Sequence, residues 1–431
     1  MKNKLKTLTL IILSAGVTLI SGCTEEKPII DNPPVEGTIY HSGFISENQT
    51  WTASSIHVLQ NRVIVQPGVT LKIEPGTIIK GEAGQEANAS ALIIARGAKI
   101  NAQGTIDNPI IFTSVADEIA LGQKFGTNLS TTKTKGFWGG LIILGDAPIS
   151  PKTGTTEQIE GVPADVIEGN YGGSNPADNS GVLTYVSIRF GGTLIGEGNE
   201  INGLTLGGVG SGTKIDHIEV IGTLDDGIEF FGGSVNVTNA LVAFQGDDGF
   251  DVDQAYTGIL SNFIYLGGAD SDHALEIDGP EGSENSEGAF IFRNGSLMGN
   301  AKIGEYVDFR SNAQGTVENC YFFGFNANAD IELDDEKSST NFINGELSFN
   351  NNSFNSSVWS LDSEGNPDGN ITILSNLKSL FADKSGTSSS SAVDKFLSSN
   401  NTLVTAKANG ADKNEFVGWT LADYEELLTE L

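Results

Sequence analysis

Ile215-Asp-His-Ile-Glu-Val220 decides how the rest of the chain is read, because it is followed by Val237-Thr-Asn-Ala-Leu-Val242, Leu260-Ser-Asn-Phe-Ile-Tyr265, Phe292-Arg-Asn-Gly-Ser-Leu297, Val317-Glu-Asn-Cys-Tyr-Phe322 and Phe342-Ile-Asn-Gly-Glu-Leu347. The copies start 22, 23, 32, 25 and 25 residues apart. Between them runs a second series: Ile228-Glu-Phe230, Phe250-Asp-Val252, Leu275-Glu-Ile277, Val307-Asp-Phe309 and Ile331-Glu-Leu333. Apolar residues alternate with polar ones in both series, and no helical period separates them. Two short strands in a repeat of about two dozen residues describe a solenoid whose coils stack their apolar faces.

Stacking fixes what the side chains do. Parallel strands lie about 4.8 Å apart and their side chains alternate between faces. Glu229, Asp251, Glu276, Asp308 and Glu332 therefore read as one solvated outer column of carboxylates. Asn239, Asn262, Asn294, Asn319 and Asn344, with His217 in the first coil, read as a second column. Asparagine tolerates a left-handed bend and its amide can bond to the copies above and below, so this column is expected to form a ladder. The 32-residue step coincides with Gly279-Pro-Glu-Gly-Ser-Glu-Asn-Ser-Glu-Gly288, a polar loop leaving the coil.

The chain has 54 Gly among 431 residues, in keeping with many tight turns. Its first half continues the scheme in Val63-Ile-Val-Gln-Pro-Gly-Val-Thr-Leu-Lys-Ile73, Leu92-Ile-Ile-Ala95 and Phe137-Trp-Gly-Gly-Leu-Ile-Ile-Leu-Gly145, with residues 150–180 as a polar insertion. Residues 1–22 carry three lysines, an apolar run and the lipobox Ile20-Ser-Gly-Cys23, and read as a lipoprotein signal that leaves Cys23 for acylation. Residues 23–40 then form a tether, 41–380 the solenoid, and 381–431 a Ser-rich segment, expected to be mobile over 385–399, with a helix from Thr420 to cap the last coil. With Cys23 lipidated, only Cys320 remains. It falls on an inward column, so burial is expected and no intramolecular disulfide can form.

Trp138-Gly-Gly-Leu-Ile-Ile-Leu-Gly145, Asn202-Gly-Leu-Thr-Leu-Gly-Gly-Val-Gly-Ser-Gly-Thr213 and Gly246-Asp-Asp-Gly-Phe-Asp251, together with the repeats, resemble the right-handed parallel β-helix superfamily that includes pectate lyases and polygalacturonases. The resemblance is nearest to a group of Bacteroidetes surface lipoproteins, and the acidic Thr24-Glu-Glu-Lys27 is similar to their surface-export signal. It covers about residues 60–350. It implies an all-β, right-handed parallel β-helix on an outward-facing lipid anchor at the cell outer membrane, and it supplies no reaction.

Asp251, Asp253, Glu276 and Asp278, two residues apart on adjacent coils, read as a square of carboxylates for calcium, which takes roughly six to eight oxygen ligands. Asp247, Asp248 and Asp308 are additional candidate ligands, and the turns Asp225-Asp226, Asp247-Asp248 and Asp270-Ser-Asp272 offer carboxylates for ions along the coil edge. His217 and His273 stand far apart in the register, which argues against a transition metal. In a calcium-assisted lyase Arg310, beside Asp278, would be the base; flanking acids make it a poor one and favour an ion-pair ladder to Asp278 and Asp334. A paired-Asp hydrolase has only Asp247-Asp248 to recommend it, without the Gly-His-Gly and Arg-Ile-Lys motifs of polygalacturonases. The net charge of −31 excludes nucleic acid and disfavours uronate polymers unless calcium bridges them. The expected role is calcium-stabilised binding or adhesion to an extracellular glycan or surface protein. Trp138 and Tyr256, the aromatic candidates for sugar stacking, read more simply as packing.

Overall fold

A computed structural model describes residues 37–85, 88–196, 199–280, 288–302, 304–386 and 390–431. The signal, Cys23 and most of the tether lie outside the described residues, as does most of the 279–288 loop. Gly37–Leu431 forms one compact unit.

That unit is a right-handed parallel β-helix, in which 26 strands among the described residues join in one sheet wound on itself. One face is built from Leu141–Leu144, Leu204–Gly207, Ile228–Phe231, Phe250–Asp253, His273–Asp278, Glu305–Arg310, Ile331–Leu333 and Phe381–Asp383, all paired in parallel. Leu204, Ile228, Phe250, Leu275, Val307 and Ile331 point inward and are fully buried in the main core. The second face consists of longer strands such as Lys214–Ile221, Asn236–Ala243 and Ile259–Leu266, each bent at one residue. The bend residue has positive φ in every coil from Tyr185 (50°) through His217, Asn239, Asn262, Asn294 and Asn319 to Asn351 (54°).

This explains the asparagine column. A left-handed residue is needed once per coil, and asparagine adopts it at low cost while bonding along the stack. Asn262 Nδ2 donates to Asn239 Oδ1 at 2.6 Å, Asn319 Nδ2 to Asn294 Oδ1 at 2.5 Å, and Asn351 Nδ2 to Asn319 Oδ1 at 3.3 Å. Asn344 does not belong to the ladder. Glu336–Asn344 is a helix, capped by Asp335, whose side chain accepts from Lys337 N and Ser338 N, and ended by Gly345 at φ 99°. The sixth copy is instead Leu347-Ser-Phe-Asn-Asn-Asn-Ser-Phe354, with Val317 paired to Phe349. A regular 25-residue spacing and a central Asn made the helix look like a strand; its caps were the competing signal.

The solenoid continues past residue 380. Phe381–Asp383 and Thr402–Val404 pair onto the last coil. The Ser-rich segment is ordered over Ser390–Ser398 as a helix whose Ala392 and Phe396 enter the main core, and Phe396 stacks on Phe381 at 4.7 Å. This helix seals the end. The expected terminal helix, Leu421–Tyr424, instead packs on the flank, where Phe416, Trp419, Leu421 and Leu428 cover Ile221, Leu241, Ile264 and Leu266. Polar residues lock that strap. Glu219, fully buried, accepts from Ala422 N at 2.8 Å and from Ser187 Oγ, and lies 4.0 Å from Arg189. Arg189, also fully buried, donates to Ser187 Oγ and Lys124 O and stands over the Phe125 ring.

Removing one partner of a buried ion pair strands the other charge. Glu219→Ala is therefore expected to cost about 3–5 kcal/mol in denaturant unfolding and to raise protease sensitivity after about residue 405. A cost below about 1 kcal/mol would mean the strap does not depend on this pair.

Candidate functional site: a buried acidic groove

The outer column of the first face runs Ile64, Ile93, Ile142, Thr205, Glu229, Asp251, Glu276, Asp308, Glu332, Ala382 in unbroken register. It changes character midway. Ile64, Ile93 and Ile142 are buried under Ile149, Ile159, Val162 and Tyr171 of the insertion at 150–180 and its approach. Beyond Thr205 the column turns acidic, as its sequence requires. It is not a solvated surface, however: Glu229 is 7% exposed, Asp251 8%, Glu276 8%, Asp308 3% and Glu332 6%. Carboxylates one strand apart shield one another, and neighbouring side chains close over them.

Those neighbours are specific. Asn202 Nδ2 donates to Glu229 and, at 3.3 Å, to Glu160. His273 Nδ1 lies 2.9 Å from Asp248 Oδ1 and 3.5 Å from Glu276 Oε2. Arg310 contacts Glu276, reaches Asp278 Oδ2 at 2.6 Å and Asp308 Oδ2 at 3.8 Å, and Lys384 contacts Glu332. The ladder expected from Arg310 to Asp278 and Asp334 thus runs to Asp278, Glu276 and Asp308, because the strand pairing sets Asp308 beside Glu276.

The Asp-Asp-Gly turns are structural. Asp226 Oδ1 accepts from Asp248 N at 2.9 Å, and Asp248 Oδ1 accepts from His273 N at 2.6 Å, so each carboxylate caps the next coil. A Cβ at Gly227 would stand 2.6 Å from Gly249 O, and one at Gly249 2.6 Å from Ala274 O, which leaves glycine as the residue that fits between coils. Asp248 is committed to this column. Asp247 is exposed and gathers with Asp225 and Asp226.

The square of four breaks up. Asp251, Glu276 and Asp278 bring ligand atoms within 4.8 Å of one another. Asp253 lies outside this triad: pairing with the next coil ends at Val252–Ile277, one residue before it, and it lines a pocket of about 190 Å³ with Glu157, Glu160, Tyr171 and Gln254, while its charge still acts on Asp251 and Glu229. Asp226, Glu229 and Asp251 form a second triad within the same limit, all buried. The sequence places Asp226 on the coil edge and Glu229 in the outer column but groups neither with Asp251. Asp251 belongs to both triads, and its Oδ1 has no hydrogen-bond partner; Asp308 Oδ1 has none either. Trp138 and Tyr256 are 0% and 1% exposed and pack the core.

The electrostatics follow from burial. Desolvation, then repulsion from neighbouring acids, holds Asp226, Glu229 and Asp251 well above the usual carboxylate range. The same causes raise Asp308 to about 7. Burial opposes the charge of His273, but the hydrogen bond and charge of Asp248, with Asp272 and Asp308, outweigh it and push it up to about 9. Asp251, Glu229 and Asp226 offer hard oxygen donors and an orphaned acceptor, a donor set that fits calcium.

The pectate-lyase-like beta helix domain matches residues 43–420. The chain belongs to that family. Two solved structures also align with this pectate-lyase-like β-helix, both bacteriophage tailspikes. Full-length tailspike protein 2 from an Escherichia coli O157:H7 bacteriophage is 10% identical over 76% of this chain and 37% of its own, with a TM-score of 0.23. The enzymatically active domain of a bacteriophage tailspike protein 2 is 12% identical over 76% of this chain and 41% of its own, also with a TM-score of 0.23. The chain thus spans less than half the length of either. No curated protein matches it.

Carboxyl groups whose folded pKa is raised stabilise the fold while protonated, and that contribution is lost as pH rises through the folded value. His273, raised by its partners, has the same sign: its contribution is complete below about 6.5 and lost through about 9. Chelator-treated protein is therefore expected to melt at progressively lower temperature from about pH 5 to about pH 9. A melting temperature that rises across this window would contradict the buried-acid groove.

Proposed function

We propose that the chain is a calcium-stabilised binding or adhesion module for extracellular glycans, carried at the cell outer membrane by lipid on Cys23. The observation that carries the cation is Asp251, 8% exposed, which has an unpartnered Oδ1 and belongs to two carboxylate triads. A divalent ion at Asp251, Glu229 and Asp226, extending toward Glu276 and Asp278, would replace the protons that burial otherwise forces onto these groups. Arg310 already neutralises part of the Glu276 and Asp278 end, so the Glu229 end is the better cation seat.

Binding suits the architecture better than turnover. The repeat offers several near-equivalent coils, and the net charge of −31 favours neutral glycans or a surface protein over nucleic acid and anionic polymers. Among the described residues no helix is long and apolar enough to cross a membrane, which is compatible with attachment through lipid.

Thermal unfolding with chelator and then graded calcium tests the site. Wild type should gain about 2.7 kcal/mol when free calcium reaches a hundredfold excess over Kd. Asp251→Asn with Glu276→Gln should gain little from calcium. An equal calcium gain in the double variant would remove the ion from this groove.

One observation favours a calcium-assisted lyase as the second reading. Arg310 borders a cavity of about 620 Å³ with Pro280, Asn312, Asp335 and Lys337. Its three carboxylate partners point instead to a structural role. Arg310→Ala is expected to lower the melting temperature and leave glycan affinity within about twofold. Release of unsaturated sugar, read by absorbance and abolished in Arg310→Ala, would establish the lyase.

A further inference from the structure

We propose that a second cleft, between Trp359 and the turn at residues 426–430, binds a neutral sugar ring. It takes its ligand class from the glycan-binding reading, while its location is independent of the acidic groove.

The cleft lies where strands Ile259–Leu266, Phe290–Met298 and Tyr321–Phe323 end, on the bent face of the solenoid. Gly267, Gly299 and Gly324 follow those strands and form its floor; Gly267 N donates to Met298 O and Gly299 N to Phe323 O, so the three stack in register. A floor without side chains leaves a cavity of about 470 Å³, a size that holds one or two sugar rings.

One wall is aromatic. Trp359 is 37% exposed, whereas Trp51, Trp138 and Trp419 are 1%, 0% and 0% exposed. Its backbone is pinned on both sides, N donating to Phe325 O and O accepting from Ala327 N, and it pairs with Ile371 across an exposed hairpin. The indole is thus presented from a fixed strand. The facing wall is polar: Glu426, Thr429 and Glu430 are exposed there, and Glu426 holds φ 59°, a left-handed conformation that a non-glycine residue adopts at a cost. Buried Leu428, whose carbonyl accepts from Lys413 Nζ, anchors this turn. Asn300 closes the end; its Oδ1 accepts from Lys302 N, which leaves the amide nitrogen as the atom for a ligand oxygen.

A flat apolar face opposite carboxylate and amide groups matches a pyranose, which has an apolar C–H face and a rim of hydroxyls. Glu426 and Glu430 would repel a uronate or sulfated sugar, so the ligand is uncharged.

The fluorescence of Trp359 reports the site directly, because the other three tryptophans are buried. The probes are neutral hexasaccharides of glucose, xylose and mannose, added to the mature protein while acrylamide quenching is followed. At least one should protect the quenchable emission saturably. By calorimetry Trp359→Ala should bind it about tenfold more weakly or worse, and Ala301→Arg, which fills the cleft while keeping the indole, should do the same. Asp251→Asn with Glu276→Gln should bind it as wild type does; an undiminished calcium gain there, with sugar protection intact, would overturn the groove alone. The cleft is overturned if no neutral hexasaccharide protects Trp359, if both cleft variants bind normally, if spermidine protects instead, or if light scattering attributes the protection to dimerisation.

Discussion

Every outward side chain on this solenoid stands about 4.8 Å from its copy in the next coil, and that fixed spacing is the constraint on which the rest of the structure depends. It lets an asparagine hand its amide to the asparagine below, as Asn262 does to Asn239. It also obliges Glu229, Asp251, Glu276, Asp308 and Glu332 to stack as like charges. The same geometry that makes one column cohesive makes the other repulsive, and the apolar interior of Leu204, Phe250, Val307 and their neighbours must absorb the difference.

Elements outside the repeat decide how each face behaves. The insertion near residues 150–180 buries the apolar half of the outer column, and the column becomes acidic beyond that cover. The C-terminal strap crosses the flank and is tied by Glu219 and Arg189, so residues about 200 positions apart in sequence share one buried polar cluster. Ser390–Ser398 closes the core at the end, which leaves the strap available to wall the cleft beside Trp359. A repetitive scaffold thus acquires two chemically distinct surfaces, one anionic and desolvated, the other aromatic and open.

The electrostatics of the groove follow from that desolvation more than from the number of acids. Cationic partners reach it at Arg310, His273 and Lys384, at the Glu276 to Glu332 end. Among the described residues Asp226, Glu229 and Asp251 form no ion pair, and burial with mutual repulsion holds their carboxyl groups well above the usual range. The proposed divalent ion would relieve that repulsion.

By itself the sequence determined the parallel β-helix, the register of its acidic and asparagine columns through Asn319, and the burial of Cys320, since alternation and spacing are local properties that stacking merely propagates. It misread Asn344, where Asp335 and Gly345 outweighed the period, and it put the terminal helix on the wrong surface. The grouping of carboxylates was legible only in part: Asp251, Glu276 and Asp278 follow from register, whereas pairing to the next coil stops one residue before Asp253 and Asp226 enters from another element. Tertiary structure alone decided that the column is buried, because solvent exposure depends on what distant segments lay over a strand, and that Trp359 faces a cleft, because its opposite wall comes from the far end of the chain.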